Sequence, residues 1–240
     1  MLLFSMEKIV KITDKKNLAN KKALREVQAI MRAQFPGLET EKIDNLPFVV
    51  FGRPRKSYSY SLWIAADERE NILGFINYSF FFRDNFYFLD HLATAPGLTG
   101  KGIGGRLYEF LRAKAREAEA VGIFFECLND NPAGEKNAGL LKQNQARLKF
   151  YERYGARPIA NNRYEEKVHP DNNSTLLVFD PLDAAINLDR YHIRKIVRKI
   201  VLKKYSDFCP PDYIKRIVNS FVDPLVTLRP PLYPGDQNRK

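Results

Sequence analysis

Cysteine is scarce in this 240-residue chain: there are two, Cys127 and Cys209, far apart in sequence. Two such residues give no disulfide framework, which favours a reducing compartment, and Cys127 falls inside an apolar strand-like run where a small buried thiol is expected. Long hydrophobic runs are missing as well. No apolar stretch reaches the length needed to cross a bilayer. The apolar start Met1-Leu2-Leu3-Phe4 is too short for a signal h-region and has no basic flank, so a cytoplasmic location is expected. There is no internal repeat and no low-complexity tract. With 45% hydrophobic and 28% charged residues, the composition is that of a globular protein long enough to bury its core without a metal or disulfide staple. No metal site is expected.

Charge of one sign dominates, but not evenly. The formal net charge is +11, and residues 189–240 carry twelve Lys/Arg against five Asp, so +7 of it belongs to the tail. Within that tail, Tyr191 to Lys204 reads as a basic amphipathic helix with Ile193, Ile196, Val197, Ile200 and Val201 on one side. Such a helix can meet nucleic acid or an anionic membrane; its commoner use is to pack the apolar stripe and solvate the charges. Pro210 to Phe221 reads as a second helix. Asp180-Pro181 marks the expected boundary between a domain over 1–180 and a basic helical extension over 181–240.

Hydrophobic periodicity orders the rest. A short strand at Glu7–Thr13 precedes a helix at Asn17–Phe35, which Pro36-Gly37 ends. Ser57–Ala66, Ile72–Phe82 and Phe86–Ala95 read as a three-stranded meander with charged turns. A four-turn helix follows, carrying Ile103, Leu107, Phe110, Leu111, Ala115 and Ala118 on one face. After it come a strand at Val121–Leu128, a polar loop from Asn129 to about Lys142, and a helix near Gln143–Tyr154 stopped by Gly155. Arg157–Val168 and Ser174–Phe179 read as a closing hairpin around His169–Asn173. The expected class is α+β: a central, mostly antiparallel sheet with one parallel βαβ crossover, plus the helical extension.

Between the third meander strand and the long helix lies Pro96-Gly97-Leu98-Thr99-Gly100-Lys101-Gly102-Ile103-Gly104-Gly105. Glycines here let the backbone take positive φ and bring N–H groups close to a ligand, beside the positive end of the helix dipole. The result is a phosphate cradle. A Walker A loop is excluded, because Lys101 is followed by glycine rather than Ser or Thr. A dinucleotide fingerprint matches Gly100-Lys101-Gly102-Ile103-Gly104-Gly105, with Glu126 at a suitable distance. That fingerprint should open the fold after its first strand, whereas here it follows a meander.

In this setting the chain resembles the GNAT acetyltransferases. Their cofactor motif reads Arg or Gln, two residues, Gly, any residue, then Gly or Ala. Thr99-Gly100-Lys101-Gly102-Ile103-Gly104 follows it except at Thr99, which replaces one side-chain contact and leaves the backbone cradle. A second segment, Asn144 through Phe150-Tyr151-Glu152 to Gly155, looks like the family's Asn…Phe-Tyr-Glu…Gly pattern. The similarity covers roughly residues 7–180. Some chains of this type continue into a histone-deacetylase-like domain; this one stops at Lys240 and shows no such zinc site, so a fragment of a longer protein is expected.

The resemblance implies a GNAT fold and transfer of an acetyl group from acetyl-CoA to a primary amine, by direct attack in a ternary complex. A lysine-like ammonium is neutral only about once in 10³ at pH 7, a cost of about 4–5 kcal/mol that a positioned base reduces. Asp90, on the strand before the cradle, is the first candidate base, and Glu126 is the alternate, or else a structural ion pair. His91 should point to the opposite face from Asp90 by strand alternation and be structural. Tyr151 matches the family's proton donor to the departing thiolate. Asn144 would bond the pantetheine arm, and backbone groups of Leu92, Ala93 and Thr94 would hold that arm as an added strand. The diphosphate falls to Thr99, Gly100, Lys101, Gly102, Ile103, Gly104 and Gly105. The acceptor amine, small molecule or protein, carries no motif. A non-catalytic acyl-CoA sensor would read the same way in sequence.

Overall fold

The computed structural model describes residues 8–52, 55–132, 137–166, 174–206 and 209–233. The chain divides into two compact units, Met1–Ala120 and Val121–Lys240.

The first unit holds β1 (Lys8–Lys11), α1 (Leu18–Gln34), α2 (Thr40–Asp44), α3 (Leu46–Phe51), β2 (Ser59–Ala66), β3 (Ile72–Phe81), β4 (Phe86–Thr94) and α4 (Ile103–Glu117). Asn17 starts α1 by accepting from the Ala19 and Asn20 amides, which satisfies two of the helix's orphan donors. The apolar positions then repeat at helical spacing, and Ala23, Leu24, Val27, Ile30 and Met31 are buried. They pack with Leu62, Ile64, Ile72 and Phe75 of the sheet. The short helices α2 and α3 carry no sustained period and are absent from the sequence reading; Ile43 and Leu46 anchor them in the same core.

Strands β1 to β4 pair in sequence order, all antiparallel. The turn between β2 and β3 is closed by Asp67, whose carboxylate accepts from the amides of Arg69 and Asn71 and from the Asn71 side chain. One irregularity matters for function. Asn77 of β3 faces His91 and the next residue, Tyr78, faces Leu89, so Asp90 is the extra residue of a β-bulge.

The second unit holds β5 (Ile123–Leu128), α5 (Ala138–Glu152), β6 (Arg157–Pro158), β7 (Thr175–Asp180), α6 (Arg190–Tyr205) and α7 (Pro211–Asn219). Strand β7 pairs antiparallel with both β5 and β6. The strand expected over Arg157–Val168 stops at Pro158. Beyond it Asn161 takes φ 55°, and Asn162 ties the turn by donating to the Ile159 and Ala160 carbonyls and accepting from the Tyr164 amide. Local amide chemistry overrides the strand pattern there. The turn expected at 169–173 lies outside the described residues. Helix α5 begins earlier than its apolar pattern indicates, because Asn137 caps the Gly139 and Leu140 amides.

Helix α6 buries the five residues of the expected stripe, Ile193, Ile196, Val197, Ile200 and Val201. The segment after α7 returns along the unit, with Val226 bonding Leu188, Ala160 bonding Thr227 and Arg229 bonding Pro158 through the backbone. The described residues of 181–233 are thus packed within the second unit. Among the described residues, no helix is long and apolar enough to cross a membrane, and no cluster of His, Cys, Asp and Glu could hold a metal ion.

Candidate active site

The cradle is built where β4 hands over to α4. Gly100 has φ +81° and Gly102 φ +86°, and Gly102 is the N-cap of α4 in the left-handed region. An L side chain is strained at such φ, so glycine is required by conformation. It is not required by crowding: a Cβ at either position would meet nothing within 4 Å. The first helical bond runs from the Arg106 amide to the Gly102 carbonyl at 3.1 Å. The amides of Ile103, Gly104 and Gly105 therefore have no acceptor within the helix, and they lie at its positive end. Lys101 is exposed beside them, as is Thr99. Open space at two positive-φ glycines and a row of amides with no helical acceptor fit a diphosphate.

Gly102→Val tests this cradle. The valine side chain finds room but not an allowed φ, so the helix start shifts and its amides turn away. Acetyl-CoA Kd by calorimetry is expected to rise about tenfold or more, equivalent to about 1.4 kcal/mol, and Gly102→Asn, which tolerates the left-handed region, should bind better than the valine variant.

Leu92, Ala93 and Thr94 pair with Ile76, Phe75 and Gly74 of β3. The strands are close here: a Cβ on Gly74 would stand 2.8 Å from the Ala93 carbonyl oxygen. The Thr94 carbonyl accepts from Gln34 Nε2 at 3.1 Å, so one of these backbone groups is already used.

The bulge changes the expected orientation of His91. Ser79 Oγ donates to Asp90 Oδ2 at 3.0 Å, and His91 Nδ1 lies 3.2 Å from Asn77 Oδ1. Asn77 and Ser79 are two residues apart and share a face of β3. Asp90 and His91 therefore lean to the same face, not to opposite ones, because the extra residue suspends strand alternation. Asn77 and Ser79 were not singled out in the sequence. The only signal was two polar residues inside an otherwise apolar strand; both are fully buried.

In the second unit, Tyr151 sits on α5 with 6% exposure. Its ring lies 4.3 Å from Phe125 and 4.9 Å from Phe150, centroid to centroid. Burial is the largest cause that pushes its phenol well above the ordinary tyrosine value. Asn144, also buried, donates its Nδ2 to the Asn129 carbonyl at 2.9 Å and so ties α5 to the end of β5.

Glu126 has a 7% exposed side chain that is surrounded by donors. Tyr164 Oη donates to Oε1 at 2.6 Å, Tyr205 Oη reaches both oxygens at 2.9 and 3.0 Å, and Lys204 forms an ion pair with Oε2. Two of these partners come from α6. Sequence gave no hint of them, since they lie 78 and 79 residues away. Burial first, then the charge of Glu126, raises the Tyr164 phenol.

Cys127, next to Glu126 on β5, is buried and its thiol is pushed up to about 12, mainly by desolvation. At pH 8 only about one molecule in 10⁴ is then thiolate. Native protein should leave Cys127 unmodified by iodoacetamide, while denatured protein is alkylated there; peptide mass spectrometry of the two samples is the check.

Comparison with known proteins identifies the family and the fold. The sequence profile of the Acetyltransferase (GNAT) family matches residues 24–156, more than half of the chain, including the cradle and α5. No curated protein matches the sequence. Among solved structures, a GNAT-family protein from Bacteroides thetaiotaomicron is similar at TM-score 0.54 and 21% identity, over 82% of this chain and 97% of its own. A GNAT-family protein from Desulfovibrio desulfuricans gives 0.53 at 14% identity, over 74% and 99%. An aminoglycoside 6′-N-acetyltransferase complexed with coenzyme A gives 0.51 at 13% identity, over 74% and 98%. At such identities the likeness is one of fold. With the family profile spanning both the cradle and the Tyr151 helix, the chain belongs to the GNAT acetyltransferase family.

Proposed function

We propose that this protein transfers an acetyl group from acetyl-CoA to a primary amine by direct attack on the thioester. The observation that carries the reading is the start of α4: two positive-φ glycines, open space beside them, and three amides with no helical acceptor, directly after β4. The residues for the diphosphate are Thr99, Gly100, Lys101, Gly102, Ile103, Gly104 and Gly105. Leu92 and Ala93 offer backbone groups to the pantetheine, with Thr94 contributing its amide. Asn144, whose Nδ2 is spent on Asn129, contributes through its Oδ1.

Asp90 is the carboxylate that meets the attacking amine. It draws the ammonium form in and removes its proton, directly or through a neighbouring group. Glu126 has no proton-transfer role in this reading, because both of its oxygens are already engaged by Lys204, Tyr164 and Tyr205. It anchors α6 instead. Tyr151 assists the departing sulfur. The amine nitrogen forms the new C–N bond, the C–S bond breaks, and the thiolate leaves with the electron pair.

Calorimetry with acetyl-CoA, followed by CoA-thiol release across a panel of amines, tests the proposal. Binding at micromolar ligand and turnover of at least one amine are expected. Binding without turnover would make the chain an acyl-CoA sensor, and no binding at millimolar ligand would end both readings.

A further inference from the structure

Asn77 is fully buried, and its Nδ2 has no hydrogen-bond partner. An enclosed donor without an acceptor lowers stability, and leucine, which has the same number and branching of side-chain heavy atoms, would remove that penalty in the middle of an apolar strand. What the asparagine does supply is Oδ1, 3.2 Å from His91 Nδ1. The bulge has meanwhile brought His91 to the face where Ser79 holds Asp90.

We propose that Asn77 is a positioning residue for His91: Oδ1 accepts the Nδ1–H, which leaves the lone pair on Nε2, and His91 Nε2 takes the proton of the attacking amine. The inference rests on the amine-acyl-transfer reading and names the neighbouring group through which Asp90 works. An imidazole, near 6.5 when unperturbed, is closer to an ammonium near 10.4 than a carboxylate near 3.9 is. Transfer to it is the less uphill step. The proton leaves the ammonium for Nε2, and the freed nitrogen lone pair attacks the thioester carbonyl. The carboxylate of Asp90 stabilises first the ammonium and then the imidazolium, which returns its proton to water after transfer.

The groups around the pair do not compete for that proton. Phe35 of α1 meets the His91 ring edge-on at 5.1 Å and does not titrate. Tyr58 and Tyr60, which feel the charge of Asp90, are both raised, by burial first, and stay neutral over the working range. The charge of Arg55 acts on Tyr58 in the opposite direction, lowering it. Asp90 is the carboxylate that shares this face, held by Ser79 Oγ at 3.0 Å.

Three measurements on wild type, Asn77→Leu and Asn77→Asp decide the matter. Ring-nitrogen NMR is tractable because the chain has three histidines. It should show His91 in the Nδ1–H tautomer at pH 8 in wild type, and the more usual Nε2–H form gaining in Asn77→Leu. The leucine variant should melt no lower than wild type, or up to about 4 °C higher, while its kcat falls about tenfold or more. Asn77→Asp should recover part of the rate and move the acid limb of the profile to higher pH, since a carboxylate raises its imidazole partner. An Nε2–H tautomer in wild type overturns the proposal, as does a leucine variant with wild-type kcat or one whose loss only follows a lower melting point. Should wild type turn over no amine, the acyl-transfer reading fails by itself. The tautomer and the slow loss of acetyl-CoA to water, compared among the same variants, then decide the role of Asn77.

Discussion

Asp130→Asn is expected to cost about 3 kcal/mol of stability at pH 7, the low end for breaking one side of a buried ion pair. The Asp130 side chain is 2% exposed and takes Arg229 in a two-pronged grip, Nη1 to Oδ1 at 2.7 Å and Nη2 to Oδ2 at 2.8 Å. Tyr233 Oη adds a third bond at 2.6 Å. Nearby, Glu152 accepts from the amides of Leu232 and Tyr233. The asparagine cannot return the same bonds, and it leaves a guanidinium whose Nε already lacks a partner. A drop of about 6–12 °C in melting point follows for a chain of this size.

The pH dependence gives the sign. Burial alone would raise Asp130, but bonds from Arg229 and Tyr233 and the charge of Arg229 outweigh it and hold the carboxyl below the usual range. Its folded value lies below the unfolded one, so its contribution is complete above about pH 4 and is lost as pH falls through the folded value. Melting curves at pH 7 and pH 3 should therefore show a wide gap that narrows in acid. Equal melting points at pH 7 would mean that this clamp does not hold residues 229–233.

The clamp also shows where sequence was informative and where it was not. Local periodicity sufficed for α1, the meander and α6, because each buries a face whose period is written in consecutive residues: the stripe Ile193 to Val201 is buried as read. It failed for Arg157–Val168, where Asn161 and Asn162 turn the chain by side-chain bonds that no period records. The cradle was legible because positive φ leaves glycine as its mark. The bulge at Asp90 was not, since one extra residue in β4 changes nothing in its composition, yet it decides which side His91 faces. Pairings such as Glu126 with Lys204 or Asp130 with Arg229 join residues 78 and 99 apart. Read singly, those residues are ordinary surface charges.

Tyr151→Phe is expected to lower kcat by about 10²- to 10³-fold, the usual range for removing one hydrogen-bond donor aimed at developing charge, while acetyl-CoA Kd and melting point stay near wild type. The packing argument supports the second half. The ring lies against Phe125 and Phe150, and phenylalanine keeps those contacts. The chemical argument supports the first. Burial keeps the phenol neutral across the working range, so it always has a proton to offer, and the wild-type rate should not fall on the basic side through Tyr151. A phenol raised in this way is a weaker acid than a thiol near 8.5, so it cannot simply hand its proton to a finished thiolate. Its help must come as a hydrogen bond that strengthens while charge builds on sulfur. The size of the defect should then depend on the leaving group. An aryl thioester, whose thiol is more acidic, needs less help, and the gap between wild type and Tyr151→Phe should shrink with such a donor. A variant that keeps the wild-type rate with acetyl-CoA would remove Tyr151 from the mechanism. A defect of equal size for every leaving group would make the hydroxyl an orienting group for the bound thioester.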